Sequence, residues 1–286
     1  MMKITYVIGI FLCLIVSPIL SQSSTAYFKK IQKSYTNAQE PLVMIAAHRG
    51  AHLEEPENSL AALQKTISLG VDIMELDVRF TKDRKMVLMH DKKVDRTTNG
   101  KGLVSDFTFE EIRKLRLKHL DQITNEQIPT LEEVFQLAKG KVLIDLDIKD
   151  DATIDSIMAL VDRMKMEKNC FFFVYEPEEI KMLQKRNKNY QIMIRTENEE
   201  GVKKLVASGA KPQAVHIDPS HYTPEVVQAI KNIPARVWIN ALGAVDFKAS
   251  QQPAAFEEVL KWGVNMIQTD QPAKLKEYLK GQGKYR

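Results

Sequence analysis

Residues 73–79 read IMELDVR, and this stretch decides the fold. Glu75 and Asp77 alternate with Met74, Leu76 and Val78. Alternation with period two is a strand signal, because successive side chains on a strand face opposite ways. Met74, Leu76 and Val78 ask for cover by helices. Glu75 and Asp77 point together to the other side, where burial is costly unless they are paired or hold a cation. Arg79 or Lys149 would be the partner in a simple salt bridge. Hard carboxylate oxygens otherwise suit Mg²⁺ or Ca²⁺.

Outward from this strand, short apolar runs alternate with longer amphipathic ones. Strands are expected at 43–47, 73–79, 142–148, 171–175, 191–195, 214–217, 236–240 and 265–269. Helical patterns follow nearly every one, at 59–69, 131–138, 153–165, 178–186, 199–207, 223–230, 254–262 and 273–279. Strand–helix alternation implies parallel strands with helices outside. Eight such units in about 245 residues match a (β/α)8 TIM barrel, for which about 250 is typical. An open doubly wound sheet is the rival. Polar residues collect at the strand C-termini, the end where barrels carry their sites, and this favours the barrel.

The alternation breaks over 80–130. Residues 86–89 form a short apolar run ending in His90, Asn99-Gly100 reads as a turn, and 109–117 as a small helix. This is a small insertion after strand 2, at about 92–129, and long excursions of this kind usually serve a site.

The 286 residues are 44% hydrophobic and 27% charged, with a net charge of +4. That near balance argues against nucleic acid as a partner. Lys3 followed by the apolar residues 4–16 reads as a secretory signal over 1–21, with Ile19-Leu20-Ser21 preceding cleavage at Gln22. The run is shorter than the roughly 20 residues that span a bilayer, so an exported chain, periplasmic or secreted, with no stable membrane span is expected. Residues 22–40 are polar and read as a linker or as an N-terminal helix on the outside of the domain. Cys170 is then the one cysteine left, a buried small hydrophobe.

Chemistry-bearing residues gather at strand ends. His48-Arg49-Gly50 closes the first strand, and Gly50 permits a sharp turn. Asn58 or Ser59 caps the next helix. Asp145, Asp147 and Lys149 share one face of the third strand, with Asp145 deeper. His90-Asp91 ends another apolar run, and His90 is a candidate acid or base. His216 ends the sixth strand. Trp238 on the seventh, with Asn240 on the same face, is either an aromatic wall or core. His52, His119 and His221 lack a supporting pattern and read as surface residues.

Together these residues resemble the glycerophosphodiester phosphodiesterase family. The match runs through His48-Arg49-Gly50, Pro56-Glu57-Asn58-Ser59, Glu75-Leu76-Asp77-Val78, His90-Asp91, Arg96-Thr97-Thr98-Asn99-Gly100, Pro129-Thr130-Leu131, Val237-Trp238-Ile239-Asn240 and Thr269-Asp270 before Pro272. The resemblance implies hydrolysis of glycerophosphodiesters to glycerol 3-phosphate and an alcohol. It implies His48 and His90 as the acid–base pair, Arg49 and Lys149 as phosphate-binding cations with Trp238 beside the substrate, and Glu75, Asp77 and Asp147 as ligands of a divalent metal, Mg²⁺ or Ca²⁺. The family usually has Glu where Asp147 stands, one methylene longer. The nucleophile is water or the glycerol 2-hydroxyl, and the resemblance favours the hydroxyl as the first step. The alternatives are an exported phosphodiesterase or phospholipase acting on lysophospholipid or another diester, and a barrel that binds phosphodiesters without turnover.

Overall fold

In the computed structural model, which describes residues 18–149 and 154–286, eight parallel strands close on themselves. They are β1 (Met44–Ala47), β2 (Ile73–Phe80), β3 (Leu143–Ile148), β4 (Cys170–Val174), β5 (Gln191–Thr196), β6 (Ala214–Ile217), β7 (Arg236–Asn240) and β8 (Met266–Thr269). Each pairs with the next, and β1 pairs with both β2 and β8, so the sheet has no open side. The (β/α)8 barrel is therefore the fold, and the open sheet is excluded. Most of the expected leader, residues 1–17, lies outside the described residues.

Two apolar shells build the barrel. The outer one packs strands on helices, with Met74, Leu76 and Val78 against side chains such as Leu63, Val134 and Phe135. The inner one fills the lower half of the barrel with Met44, Ile73, Leu143, Phe171, Met193, Trp238 and Met266. Helix Pro18–Thr36 completes this inner shell. Phe28, Ile31 and Tyr35 repeat at helical spacing and enter the barrel mouth, with Tyr35 stacked on Phe171 at 5.2 Å. The segment is thus a stopper for the N-terminal end, where the polar composition of 22–40 predicts a linker or an outer helix. Arg236, fully buried, fastens it by donating to the carbonyl of Ser34 from Nε at 2.9 Å and Nη2 at 2.6 Å. Cys170 is buried, as its apolar surroundings predict.

The insertion has its own small core of Val87, Met89, Val94, Val104, Ile112, Leu117 and Ile128. Strand Met86–Leu88 runs antiparallel to the end of β2, pairing Leu88 with Val78. The helix expected at 109–117 is only Phe109–Ile112, because the chain then turns to bury Leu117 and enter the hairpin Lys118–His119/Gln122–Ile123. Between β7 and β8 a helix at Ala244–Gln251 precedes the expected one. Its sequence AVDFKASQ has no apolar stripe, so the 3.6-residue period is invisible there. No helix among the described residues is long and apolar enough to cross a membrane.

Candidate active site

The turn after β1 sets the site. Arg49 and Gly50 both have positive φ, +51° and +84°. A Cβ on Gly50 would lie 2.8 Å from the Cβ of Ala62. The close approach fixes the angle at which His48 leaves the strand. Gly50→Ala should therefore destabilise the fold by about 2–4 kcal/mol, combining overpacking with left-handed strain. Chemical denaturation would read it, and a loss under 1 kcal/mol would show that the turn relaxes freely.

His48 and His90 are held by the same device. His48 Nδ1 donates to Asp270 Oδ1 at 2.7 Å, and His90 Nδ1 donates to Asp91 Oδ1 at 2.7 Å. In each ring Nε2 is left for chemistry, as a carboxylate on Nδ1 fixes the tautomer. Asp270 is itself anchored by its backbone N–H donating to Asp246 Oδ2 at 2.6 Å. The His48 interaction leads those that draw the Asp270 carboxyl below its ordinary range against the upward push of burial. Arg79, a candidate partner for the acidic pair, instead donates from Nε and Nη2 to the carbonyl of His90, at 3.0 and 2.7 Å.

Glu75, Asp77 and Asp147 converge, with one ligand atom from each lying within 4.8 Å of the others. Each is also tied to groups outside the triad. Glu75 accepts from the backbone N–H of Arg49 at 2.8 Å. Asp77 accepts from Asn58 Nδ2 at 2.7 Å and from Lys149 at 2.8 Å, and Lys149 also reaches Asp147 at 2.7 Å. The salt bridge that the sequence offers as a rival to a metal site therefore coexists with the triad. Burial, together with the neighbouring Asp77, Asp145 and Asp147, pushes the Glu75 carboxyl well above its usual range. Burial also raises Asp145, reinforced by Asp147 and Asp77. At Asp77 the upward push of burial is outweighed by Lys149 and Asn58, so its carboxyl sits low. Three hard oxygen donors with one carboxylate strained by its neighbours fit a small divalent cation.

These groups line one cavity of about 320 Å³ at the C-terminal end of the strands. His48, His90, Glu75, Asp77, Asp147, Lys149 and Trp238 all border it, as do Asp145 and His216. Asp145 lies deep, as its position in the strand predicts, and its Oδ1 has no hydrogen-bond partner. Trp238 is both of the things its period allows. It is wholly buried, and it forms part of the cavity floor. A hollow of about 340 Å³ near Pro41, Val237 and Lys284 has no histidine and no carboxylate cluster.

Arg49 is tied to the carboxylate wall. Its Nη1 donates to Glu57 at 3.0 Å, and its Nε lies 3.6 Å from Asp77 Oδ2. Arg96 joins Glu57 to Asp91 and so links this wall to His90. His52 is not a plain surface residue. Its Nδ1 donates to the carbonyl of His48 at 2.8 Å, and its Nε2 lies 3.7 Å from Asp270. His221 is exposed, as expected. The sequence reading passes over Asp246, Tyr175 and Arg195, offers Asn58 only as a helix cap, and meets Asp270 only in the family resemblance, though all lie near or at the site. Asp270 follows β8 and Arg195 lies on β5 near its end, so the rule that found His48 applies to both.

Residues 48–274 match the model of the glycerophosphoryl diester phosphodiesterase family. The chain is 31% identical over 244 residues to a glycerophosphodiester phosphodiesterase of Caldanaerobacter subterraneus, covering 81% of this chain and 96% of that protein. It is similar in fold to a crystal structure of a glycerophosphoryl diester phosphodiesterase from Parabacteroides distasonis, with a TM-score of 0.80, 29% identity, and coverage of 89% of this chain and 92% of that one. An Oleispira antarctica phosphodiesterase solved with its product sn-glycerol-3-phosphate shares the fold, with a TM-score of 0.67, 19% identity, and coverage of 84% and 97%.

Proposed function

The chain belongs to the glycerophosphoryl diester phosphodiesterase family and is an enzyme of that kind, and we propose that it splits glycerophosphodiesters into sn-glycerol 3-phosphate and an alcohol with His48 and His90 as the acid–base pair and with a divalent cation at Glu75, Asp77 and Asp147. One observation carries this reading. Two histidines, each fixed at Nδ1 by an aspartate, border the same cavity as a carboxylate triad and a lysine.

A phosphodiester is anionic and repels nucleophiles. Lys149 places a point charge beside the triad, and the push of its two aspartates keeps it charged in spite of partial burial. Mg²⁺ or Ca²⁺ at Glu75, Asp77 and Asp147 supplies neutralisation of the charge that builds on the phosphoryl oxygens. Arg49, next to His48, is the second cation for the phosphate. In the favoured first step the 2-hydroxyl oxygen bonds to phosphorus and the bond to the departing alcohol breaks. One histidine takes the hydroxyl proton at Nε2, and the other gives a proton to the leaving alkoxide. Water then opens the cyclic phosphate with the two roles exchanged.

Release of glycerol 3-phosphate from glycerophosphocholine tests the reading. Activity abolished by EDTA and restored by Mg²⁺ or Ca²⁺ is expected. Folded protein that releases nothing with either ion would overturn it. Export belongs to the same proposal, on the strength of the apolar leader. Protein recovered from outside the cytoplasm should begin at Gln22, and recovery solely as the intact cytoplasmic chain would refute export.

A further inference from the structure

Two cavities at the C-terminal end of the barrel meet at one pair of side chains. Tyr175 and Arg195 line the catalytic cavity, and both also line a second cavity of about 240 Å³ between the loops that follow β4 and β5. A hollow beside His52 and Leu120 shares no residue with the catalytic cavity. Tyr175 therefore stands at a junction. It is 55% exposed, its ring leans on Phe173 with centroids 5.3 Å apart, and its hydroxyl feels the charges of Asp147 and Lys149 in the reacting centre. Its loop is fixed, because Glu179 accepts from the backbone N–H of Tyr175 at 2.9 Å and of Glu176 at 2.8 Å. The charges around the second cavity are unevenly matched. Arg195 is held by Asp218, with Nη2 donating at 2.7 and 2.6 Å, and Lys204 is held by Glu176. Glu197 also lines the cavity, is exposed, and has no ion pair or side-chain hydrogen bond among the described residues. An aromatic ring and an unmatched carboxylate are thus what the cavity offers a ligand.

We infer that this second cavity takes the departing alcohol of the diester, and that Tyr175 and Glu197 select an alcohol carrying a positive charge, a choline or ethanolamine head group. The inference rests on the proposed reaction, in which the glycerol is constant and the departing alcohol varies. A phosphate beside Lys149 lies next to Tyr175, so the group bonded to it has the second cavity within reach. A quaternary ammonium donates no hydrogen bonds. It is held by a diffuse negative field, which the face of an aromatic ring and a nearby carboxylate supply. A primary ammonium can in addition donate to Glu197. An anionic alcohol meets no free cation there, because Arg195 and Lys204 each have an acid of their own. A neutral alcohol fits the space but gains nothing from the field.

The test compares glycerophosphocholine with its uncharged isostere, the glycerophosphodiester of 3,3-dimethylbutanol, in which carbon replaces the nitrogen, by kcat/KM on the full chain with Mg²⁺. The two differ in charge and hardly in shape. Wild type should prefer the charged diester by roughly 10-fold, the order expected of a cation held over an aromatic face beside a carboxylate. In Tyr175→Leu and in Glu197→Gln that ratio should fall toward one, through a loss on glycerophosphocholine read mainly in KM. Tyr175→Phe, which keeps the ring, should keep the ratio. Both side chains are exposed, so neither change touches the core. Calorimetric binding of the two diesters to His48→Ala with Mg²⁺ reads the same contrast without turnover. A wild-type ratio at or below one, or a ratio unchanged in both Tyr175→Leu and Glu197→Gln, would overturn the inference and leave the phosphodiesterase reading standing. No turnover of either diester by wild type, with the binding contrast intact, would overturn the reaction and leave the cation site standing.

Discussion

Replacing His48 or His90 with alanine should lower kcat on glycerophosphocholine by roughly 10²–10⁴-fold, the usual worth of one positioned acid or base. Neither ring is a keystone of the fold. The side chain of His48 is 15% exposed and that of His90 is 37% exposed, and each gives Nδ1 to an aspartate at the rim. Unfolding free energy should therefore stay within about 1 kcal/mol of wild type. Asp270→Asn separates positioning from proton transfer. It keeps the shape but removes the charge that fixes the His48 tautomer, so kcat should fall while KM stays close to normal. Turnover near normal in either alanine variant would end the acid–base assignment. A kcat unchanged in Asp270→Asn would reduce Asp270 to a structural contact.

The barrel was legible because each strand carries its own signal. β2 shows it best, since Met74, Leu76 and Val78 pack on helices while Glu75 and Asp77 turn inward. The helix at Ala244–Gln251 was not legible, because its apolar residues form no stripe. The stopper segment reads in sequence as a linker or an outer helix, and neither reading puts it in its place. Phe28, Ile31 and Tyr35 bury against the open end of a barrel, and that end exists only once eight strands have closed. The same limit holds at the site. His48, Glu75, Asp77, Asp147 and Lys149 announce themselves by sitting at strand ends in polar pairs. Asp246, within a helix that carries no apolar stripe, is an ordinary acid until the fold lays it beside Asp270 and β8.

Removing the divalent ion should destabilise the protein, and more so as pH rises. Glu75 and Asp145 have carboxyls raised by burial and by neighbouring acids. A carboxyl raised in the folded state binds more protons folded than unfolded. Its contribution to stability is therefore present below its ordinary value, 4.5 for Glu75 and 3.8 for Asp145, and is lost as pH climbs through the raised value. Asp77 has the opposite sign. Its low carboxyl stabilises above 3.8 and loses that effect only as pH falls toward its lowered value. From about pH 5 upward the metal-free protein should thus weaken, because like charges are being forced together in the barrel. Saturating Mg²⁺ or Ca²⁺ should cancel the trend. At a hundred times Kd the gain is about 2.7 kcal/mol, on the order of 5 °C in Tm for a chain of this size. Asp147, with its side chain 27% exposed, is the ligand to remove with least damage to the core. Thermal melts of wild type and Asp147→Asn in EDTA and in each ion, between about pH 5 and about pH 8, read all of this. Asp147→Glu, which restores the methylene, should widen the metal-induced shift at a given ion concentration. A shift that survives in Asp147→Asn would place the cation elsewhere, and melts indifferent to either ion would remove the cation from the site.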